Sequence, residues 1–574
     1  MLKVWAPQAK AVELVAGSKR TPMQREANGW WSAASPRAGT DYAFALDGDA
    51  PLPDPRSRWQ PNGVHGFSRI IDDCDFAWED AAWNAPPLSS AIIYELHVGT
   101  FSQEGTFDAI IARLGYLKDL GVTHIELMPT AEFSGDRGWG YDGVDLFAPH
   151  HIYGGPGALK RLVNACHQHG LAVLIDVVFN HFGPSGNYLP RFGPYHTNRY
   201  RTPWGKAVNF DDQGSAEVRR FLCDSALMWL REYHCDGLRI DAVHEIFDRS
   251  AIHFLEQLSS EVRSLEAHLG RRLCLIAESD LNDPRVVRAT EVGGYGIDAQ
   301  WNDDFHHALH AYITGERSGY YLDFGSLGDV ATALRSAYVY DGRYSRYRRR
   351  NHGRTPAELS GHRFVGFLQN HDQVGNRAKG ERISMLVNLR MVKIASALVF
   401  VAPFVPMLFQ GEEWAASSPF LYFSGHPEPE LGRAVSEGRK REFVAFGWPE
   451  DEVPDPQALE TYLRSKLNWD ELTESPHGEM LDWYRRLIRL RKELPELSDG
   501  RRGRGEVAFS EVDRWLVYER GSILTVCNFS QATREIPCHY SAPPVMVLAS
   551  DTNVEFSHQF LRLPAETVAI FKRS

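Results

Sequence analysis

Eight short apolar runs recur between about residues 91 and 409 of this 574-residue chain, and helical stretches separate them. Each run is almost wholly apolar, as expected for parallel strands buried on both faces. Between them, apolar residues recur at three- and four-residue spacing, which is typical of helices covering a sheet. Eight such repeats predict a closed (β/α)8 TIM barrel. The runs begin at Ala91, His124, Ala172, Gly237, Cys274, Asp298, Phe364 and Val405.

Short alternating segments precede and follow the barrel repeats, so we predict a multidomain α/β chain with a β-sandwich at each end. An immunoglobulin-like sandwich is expected over residues 1–88 and a second sandwich over 496–574. The catalytic barrel then spans 89–495. The stretch 181–215, rich in Pro, Gly, Asn and aromatic residues, is too long for an ordinary connection and predicts an insertion after the third strand.

The charge balance argues against nucleic-acid and membrane partners. There are 74 acidic and 62 basic residues, giving a formal net charge of −12, which opposes attraction to phosphate backbones and anionic lipids. The Arg- and Tyr-rich stretch 343–354 is therefore interpreted as a barrel loop whose arginines pair with local acids. The 15 Trp and 22 Tyr residues suit the apolar faces of sugar rings as well as protein cores.

Three features favour a cytoplasmic protein. The seven cysteines are scattered without zinc or disulfide spacing, so they are expected to be reduced, buried thiols. The first residues, MLKVWAPQAKAVELV, do not resemble a signal peptide. The longest apolar run, 394–409, is interrupted by Pro403 and Pro406 and is too short to span a bilayer.

Polar residues follow several predicted strands at their C-terminal ends, where the reacting groups of a (β/α)8 barrel gather. A single acid at such a position is more often a helix cap or half of an ion pair. Three carboxylates that converge on one mouth instead favour glycoside cleavage, which needs a nucleophile and a protonated acid. We expect Arg239 to hold Asp241 ionised and a dry pocket to keep Glu278 protonated. The strand-end residues are Asp176, Asn180, His181, Arg239, Asp241, Glu278, His371 and Asp372.

Four segments resemble the signature regions of the α-amylase family of retaining glycoside hydrolases and transglycosylases. They are DVVFNH from Asp176, GLRIDAVH from Gly237, IAESD from Ile276 and FLQNHD from Phe367. The resemblance implies that Asp241 is the nucleophile, Glu278 the general acid/base, and Asp372 the acid that binds sugar hydroxyls in the transition state. It implies supporting roles for Arg239, His181 and His371, and an aromatic platform at Tyr141. Retaining chemistry would set the carboxyl groups of Asp241 and Glu278 about 5–5.5 Å apart.

Flanking segments look like the trehalose-releasing members of that family. They are ELHVGTFSQEGTF from Glu95, IELMPTAEFSGDRGWGYDGV from Ile125, NHDQVGNRAKGER from Asn370 and LFQGEEWAASSPFLYF from Leu408. The resemblance implies cleavage of the α-1,4 bond beside the terminal trehalose of a malto-oligosyltrehalose, without cofactor or metal. It also implies a pathway partner, a synthase that forms this substrate. The alternatives are a branching enzyme or other glucan transferase, and an inactive glucan-binding protein.

We predict that residues after the eighth strand and in the insertion form the acceptor side of the cleft, which binds the trehalose end. Aromatic rings there would stack on sugar rings and acids would bind hydroxyls. Trp139 is interpreted equally as a packing or a substrate-facing aromatic. The histidines of the stretch 303–310 are expected in a solvated loop or outer site and not at a metal. The acceptor-side candidates are Trp204, Glu412, Glu413 and Trp414.

Overall fold

A closed barrel of eight parallel strands forms the centre of the molecule. The computed structural model of the chain describes residues 1–72, 76–445, 449, 452–538, 543–557 and 559–573. All eight predicted runs are barrel strands, and the last pairs with the first to close the barrel. The strands are β1 Ile93–Leu96, β2 His124–Leu127, β3 Ala172–Val177, β4 Gly237–Ile240, β5 Cys274–Ala277, β6 Ala299–Trp301, β7 Phe364–Phe367 and β8 Val405–Phe409.

The barrel interior is filled by apolar side chains of alternate strands, including Ile93, Leu174, Ile276 and Val365. Helices cover the outside, and most begin where the amphipathic pattern predicts. The helical stretch that begins at Phe107 forms two helices separated by a turn at Ala112 and Arg113, and the Arg113 guanidinium lies 4.3 Å from the centre of the Trp469 ring. The main helices are Phe107–Ile111, Leu114–Leu120, Gly155–His169, Ser215–Arg231, Phe254–Leu269, Asp303–Thr314, Leu327–Ser336, Leu389–Val401 and His477–Glu493.

The connections after β2, β3, β6 and β8 carry additional elements over the C-terminal end of the barrel. The connection after β3 contains the helix Leu189–Phe192 and a hairpin of His196–Thr202 and Gly205–Val208. The connection after β2 carries another antiparallel pair, Ala131–Phe133 and Gly143–Pro149. The last long connection holds helices Pro429–Ala445 and Leu459–Arg464. Only the elaboration after β3 was expected.

The connection after β6 contains the Arg- and Tyr-rich stretch as a hairpin of Asp341–Ser345 and Arg350–Gly353. Its arginines pair with acids, as predicted: Arg343 with Asp329, Arg346 with Asp323 and Arg348 with Asp280. The histidines of the stretch 303–310 are not solvated, so that expectation is wrong. Their rings are buried on the helix Asp303–Thr314 because they pack against Tyr320, Tyr321 and Phe324 and hydrogen-bond to Leu368 O, Tyr321 and Glu316.

Antiparallel sheets precede and follow the barrel. At the N-terminal end, one sheet holds Leu2–Trp5, Trp30–Ala33 and Gln24–Arg25, and another holds Lys19–Pro22, Val12–Ala16, Asp41–Leu46 and Ser68–Arg69. At the C-terminal end, a five-stranded sheet holds Gly505–Ser510, Trp515–Arg520, Ile523–Asn528, Thr567–Lys572 and Val545–Ala549, and a three-stranded sheet holds Arg534–Pro537, Phe560–Leu563 and Glu555–Phe556. This is the multidomain α/β class predicted; the exact domain boundaries stay predictions.

Six cysteines are free thiols; five are buried and Cys274 is partly buried, whereas Cys74 lies outside the described residues. Within the described ranges, no helix combines the length and apolarity that crossing a membrane requires. The cytoplasmic location stays a prediction.

Candidate active site

The predicted site residues meet at the C-terminal mouth of the barrel because adjacent strands deliver them. Strands β3, β4 and β5 are neighbours in register, and β6 and β7 follow in the same order. Asp241, Glu278 and Asp372 therefore lie around one opening, as predicted. A cleft of about 260 Å³ opens there, lined by Trp139, Tyr141, Asp142, His181, Trp204, Asp241, His371, Asp372, Asn376, Tyr422 and Phe423.

Arg239 is the electrostatic centre of this mouth. Its fully buried guanidinium donates from Nη1 to Asp176 Oδ2 at 2.7 Å and to Asp241 Oδ1 at 2.9 Å. Nη2 donates to Glu278 Oε2 at 2.8 Å. A planar guanidinium suits this task because it presents several donors in one fixed plane. Arg239 thus binds both Asp241 and Glu278, the two carboxyl groups predicted to carry out glycosidic cleavage.

Both carboxyl oxygens of Asp241 accept hydrogen bonds. Arg239 contacts Oδ1, and the amide of Asn180 donates to Oδ2 at 2.8 Å and to the Asp241 carbonyl at 2.8 Å. Donors therefore lie against both oxygens of the group predicted to be the nucleophile. The contacts also fix the direction in which its oxygens point.

Glu278 differs because both its hydrogen bonds fall on one oxygen. Oε2 accepts from Arg239 and from the Ala242 N–H at 2.9 Å. Ala242 has φ 39°, in the left-handed region that residues other than glycine seldom adopt. Its backbone N–H therefore reaches Glu278 at a cost in backbone strain. Among the described residues, Oε1 has no hydrogen-bond partner.

Asp372 lies beside a buried charge pair. His371 Nδ1 is 2.5 Å from Glu95 Oε1, and His371 Nε2 is 3.6 Å from Asp372 Oδ1. Burial opposes a charge on His371, but Glu95 and Asp372 outweigh it and raise its pKa to about 9. Burial also raises the pKa of Asp372, with Glu278 adding to the rise and His371 opposing it. The mouth therefore contains two buried cations, Arg239 and His371.

Aromatic rings line the cleft around these charges. Tyr141 stacks on His371 with ring centroids 5.0 Å apart and donates to Asp176 Oδ2 at 2.7 Å. Trp204, on the hairpin after β3, is 52% exposed and stacks on His181 at 4.4 Å. Trp139 is buried and stacks on Phe420, so it packs the wall of the cleft that it borders. Tyr141, His181 and Trp204 are placed where a sugar can contact them.

Residues after β8 do line the cleft, at Tyr422 and Phe423, but the three candidates predicted there are wrong. Glu412, Glu413 and Trp414 are buried in the interior because each has protein partners there. Glu412 accepts from Tyr484 at 3.0 Å, and Glu413 accepts from Tyr94 and Tyr116. Trp414 packs against the rings of Tyr116 and Trp469.

Three acids at the mouth were missed by sequence reasoning, and one of them, Asp142, lines the cleft. Glu95 lies in β1 and Asp303 is the first residue of the helix after β6. Burial, with Glu278 and Asp280 nearby, raises the pKa of Asp303 well above its usual range. The strand-end rule that found Asp241 would have found Glu95 and Asp303, but neither lies in the four segments that resemble the signature regions.

Comparisons with known proteins agree with this geometry. The model of the α-amylase catalytic domain matches residues 77–204. A malto-oligosyltrehalose trehalohydrolase of Rhizobium sp. (strain M-11) is 46% identical, covering 99% of this chain and 97% of the relative. This chain belongs to the malto-oligosyltrehalose trehalohydrolase family. Membership of this family makes it a glycosidase of the α-amylase class.

A structural comparison agrees with this assignment over the whole chain, whereas a branching enzyme matches only part of it. A crystal structure of a putative α-amylase from Salmonella typhimurium has a TM-score of 0.91 at 37% identity and covers 100% of this chain and 97% of that chain. By contrast, a 1,4-α-glucan branching enzyme of Shewanella sp. (strain MR-4) is 32% identical over only 54% of this chain and 48% of its own. The trehalohydrolase family therefore explains the whole chain, and the branching alternative does not.

Proposed function

We propose that this protein is a retaining hydrolase that cleaves the α-1,4-glucosidic bond next to the terminal trehalose unit of a malto-oligosyltrehalose. The products are trehalose and a malto-oligosaccharide. The observation that carries the proposal is the pair of carboxyl groups, Asp241 and Glu278, bound to opposite nitrogens of the buried Arg239. Family membership supplies the substrate class. The pathway partner we propose is a synthase that forms the malto-oligosyltrehalose.

In the first step, an oxygen of Asp241 attacks the anomeric carbon of the glucose beside trehalose. The glycosidic bond breaks, and Glu278 gives its proton from Oε1 to the departing trehalose oxygen. Arg239 and Asn180 hold Asp241 charged and aimed for this attack. Asp372 and His371 bind hydroxyl groups of the same glucose, over the Tyr141 ring.

In the second step, Glu278 is ionised and removes a proton from a water molecule that attacks the same carbon. The bond to Asp241 breaks, and the malto-oligosaccharide leaves with its anomeric configuration retained. Since a sugar hydroxyl could replace water here, the acceptor side decides between hydrolysis and transfer. Trp204 is the candidate that remains there. A groove of about 490 Å³ shares Trp204 and His181 with the cleft and reaches Gln8 near the N-terminus.

Product analysis tests the proposed function. The protein is incubated with one malto-oligosyltrehalose and, separately, with a plain malto-oligosaccharide of equal length. We expect free trehalose from the first and a much slower reaction of the second. Equal rates on both would remove the trehalose specificity, and products with new branch points would identify a branching enzyme instead.

A further inference from the structure

Glu95 is a buried acid that the reaction steps above do not use. It lies in β1, which β2 and β3 separate from the strand of Arg239, and its side chain is only 1% exposed. Oε2 accepts from the His371 backbone N–H at 3.1 Å, and Oε1 lies 2.5 Å from His371 Nδ1. Glu95 thus contacts both the main chain and the ring of one residue that borders the cleft.

The ring of His371 is packed among three aromatic rings and has one edge toward the cleft. Tyr141 stacks on one face, and the edges of Trp139 and Trp301 lie within 6 Å. With Nδ1 directed at Glu95, the other ring nitrogen, Nε2, faces Asp372 and the cleft. A hydrogen bond at one nitrogen fixes which atom donates at the other.

We propose that Glu95 is a positioning residue that keeps His371 both oriented and positively charged, so that Nε2–H always donates toward the sugar and Asp372. This inference rests on the proposed function, because it assigns a role within the same site. Glu95 acts only through His371 and touches no substrate.

The charged groups around His371 are consistent with this role. Besides Glu95 and its neighbour Asp372, Arg239 on β4 faces His371 and opposes its positive charge. Burial lowers the pKa of His97, after β1, to about 3, and His371 adds to that lowering. Glu126 on β2 is paired in register with Glu95. Burial and the Glu95 charge raise the pKa of Glu126 well above its usual range, and neither of its carboxyl oxygens has a hydrogen-bond partner among the described residues. Glu95 is thus the carboxylate that balances His371.

The experiment uses two matched variants of the full chain, Glu95→Gln and Glu126→Gln. Glutamine keeps an oxygen that can accept from His371 but removes the charge. In Glu95→Gln, the carboxylate that offsets the effect of burial on His371 is gone. The midpoint of the His371 titration should therefore fall by about 1–3 pH units. NMR of isotope-labelled histidine measures this directly, with the signal assigned by loss in His371→Asn. Glu126→Gln should leave the titration in place.

The second readout is the pH profile of kcat/KM on any α-glucan that the parent protein cleaves. We expect Glu95→Gln to lose activity toward alkaline pH first while keeping most of it at pH 5, with Glu126→Gln following the parent. A neutral His371 at pH 7 in the parent would overturn the proposal. So would a Glu95→Gln loss that is equal at every pH, which would indicate a structural role alone. Because the NMR arm needs no substrate, failure of the trehalose specificity is distinguishable from failure of this inference.

Discussion

Arg239 decides how charge is divided at the mouth of the barrel. A buried ion costs several kcal/mol of desolvation unless good geometry offsets it, and here one guanidinium meets three carboxylates. Burial raises the pKa of Asp176 to about 7 even though Arg239 opposes the rise. Asp241, by contrast, has a side-chain donor on each of its carboxyl oxygens.

Replacing Glu278 with Gln should abolish hydrolysis while leaving substrate binding intact. Glutamine can still accept from Arg239 and Ala242, so the local geometry survives, but it has no proton to give. We expect kcat to fall by about 10²–10⁴-fold, measured with malto-oligosyltrehalose, and Kd to stay near the parent value by calorimetry. As a control, an aryl glycoside, whose leaving group needs little protonation, should lose much less in the first step. An unchanged kcat would remove Glu278 as the acid.

Two elements hold segments together that are distant in the sequence, one at the cleft and one on the outside of the barrel. The hairpin after β3 holds Trp204 against His181. The helix Gly155–His169, on the outside of the barrel, ends near the segment that joins the barrel to the N-terminal sheets. There His167 bridges Asp80 and Asp236, and Trp83 stacks on its ring.

Trp204→Ala should weaken substrate binding more than catalysis. Loss of one stacked ring costs about 0.5–1.5 kcal/mol, so KM should rise by about 2- to 12-fold with little change in kcat. Tyr344→Ala removes an exposed ring from a different hairpin and is the matched control. If Trp204→Ala and Tyr344→Ala behave alike in steady-state kinetics, Trp204 does not bind the sugar.

The bridge at His167 should give the unfolding free energy a defined pH dependence. Burial opposes the charge, but Asp236 and Asp80 outweigh it and raise the pKa of His167. The stabilisation from the charged His167 is complete below pH 6.5, the pKa of histidine in the unfolded chain. It is lost as the pH rises through the higher pKa of His167 in the folded protein. Burial likewise opposes the charge on Asp80, yet His167 and His234 lower its pKa, so its contribution is present above 3.8 and is lost as pH falls.

The bridge is therefore strongest between about pH 4 and 6.5. His167→Gln should destabilise the protein by about 3–5 kcal/mol at pH 6 and by less at pH 9, measured by urea unfolding at both values. His169→Gln, on the same helix but hydrogen-bonded only to Ala165 O, should show a small effect without pH dependence. The opposite trend, a larger loss at pH 9, would mean that His167 is neutral in the folded state.

At the scale of the whole molecule, buried arginines join the C-terminal sheet to the barrel. Arg520, in the strand Trp515–Arg520, donates to Val401 O at 2.6 Å and to Leu497 O at 3.3 Å. Val401 ends the helix that leads into β8. Arg491 donates to Phe400 O and Ala402 O in the same region. These contacts lie where the chain enters β8, at the end of the strand away from the catalytic cleft. They therefore stabilise the fold and do not take part in the chemistry.

Arg520→Met should destabilise the protein by about 2–5 kcal/mol, because it leaves buried carbonyl groups without donors. The melting temperature should fall while kcat at 25 °C stays near the parent value. Arg562→Met removes a half-exposed arginine paired with Glu555 and should cost about 0–1 kcal/mol. Equal melting temperatures for the two variants would show that Arg520 is not a structural link.

The barrel was predictable because its eight strands are buried on both faces and are therefore mostly apolar. Strand-end acids were predictable for the same reason, since a charged residue in such a run, such as Asp241, needs a special environment. Glu412 and Trp414 were misplaced because the residues that cover them, Tyr484 and Trp469, are distant in the sequence. A signal for Glu95 existed, but its partner His371 is 276 residues away.

The sequence by itself determined the order of strands and helices, the acids at the strand ends and the family, because all of these depend on local pattern and residue identity. The contacts of Arg239 with three carboxylates, the contact of Glu95 with His371 and the burial of Glu412 became visible only in the folded chain. Hydrogen bonds and burial depend on which distant segments meet, and closure of the barrel fixes those meetings.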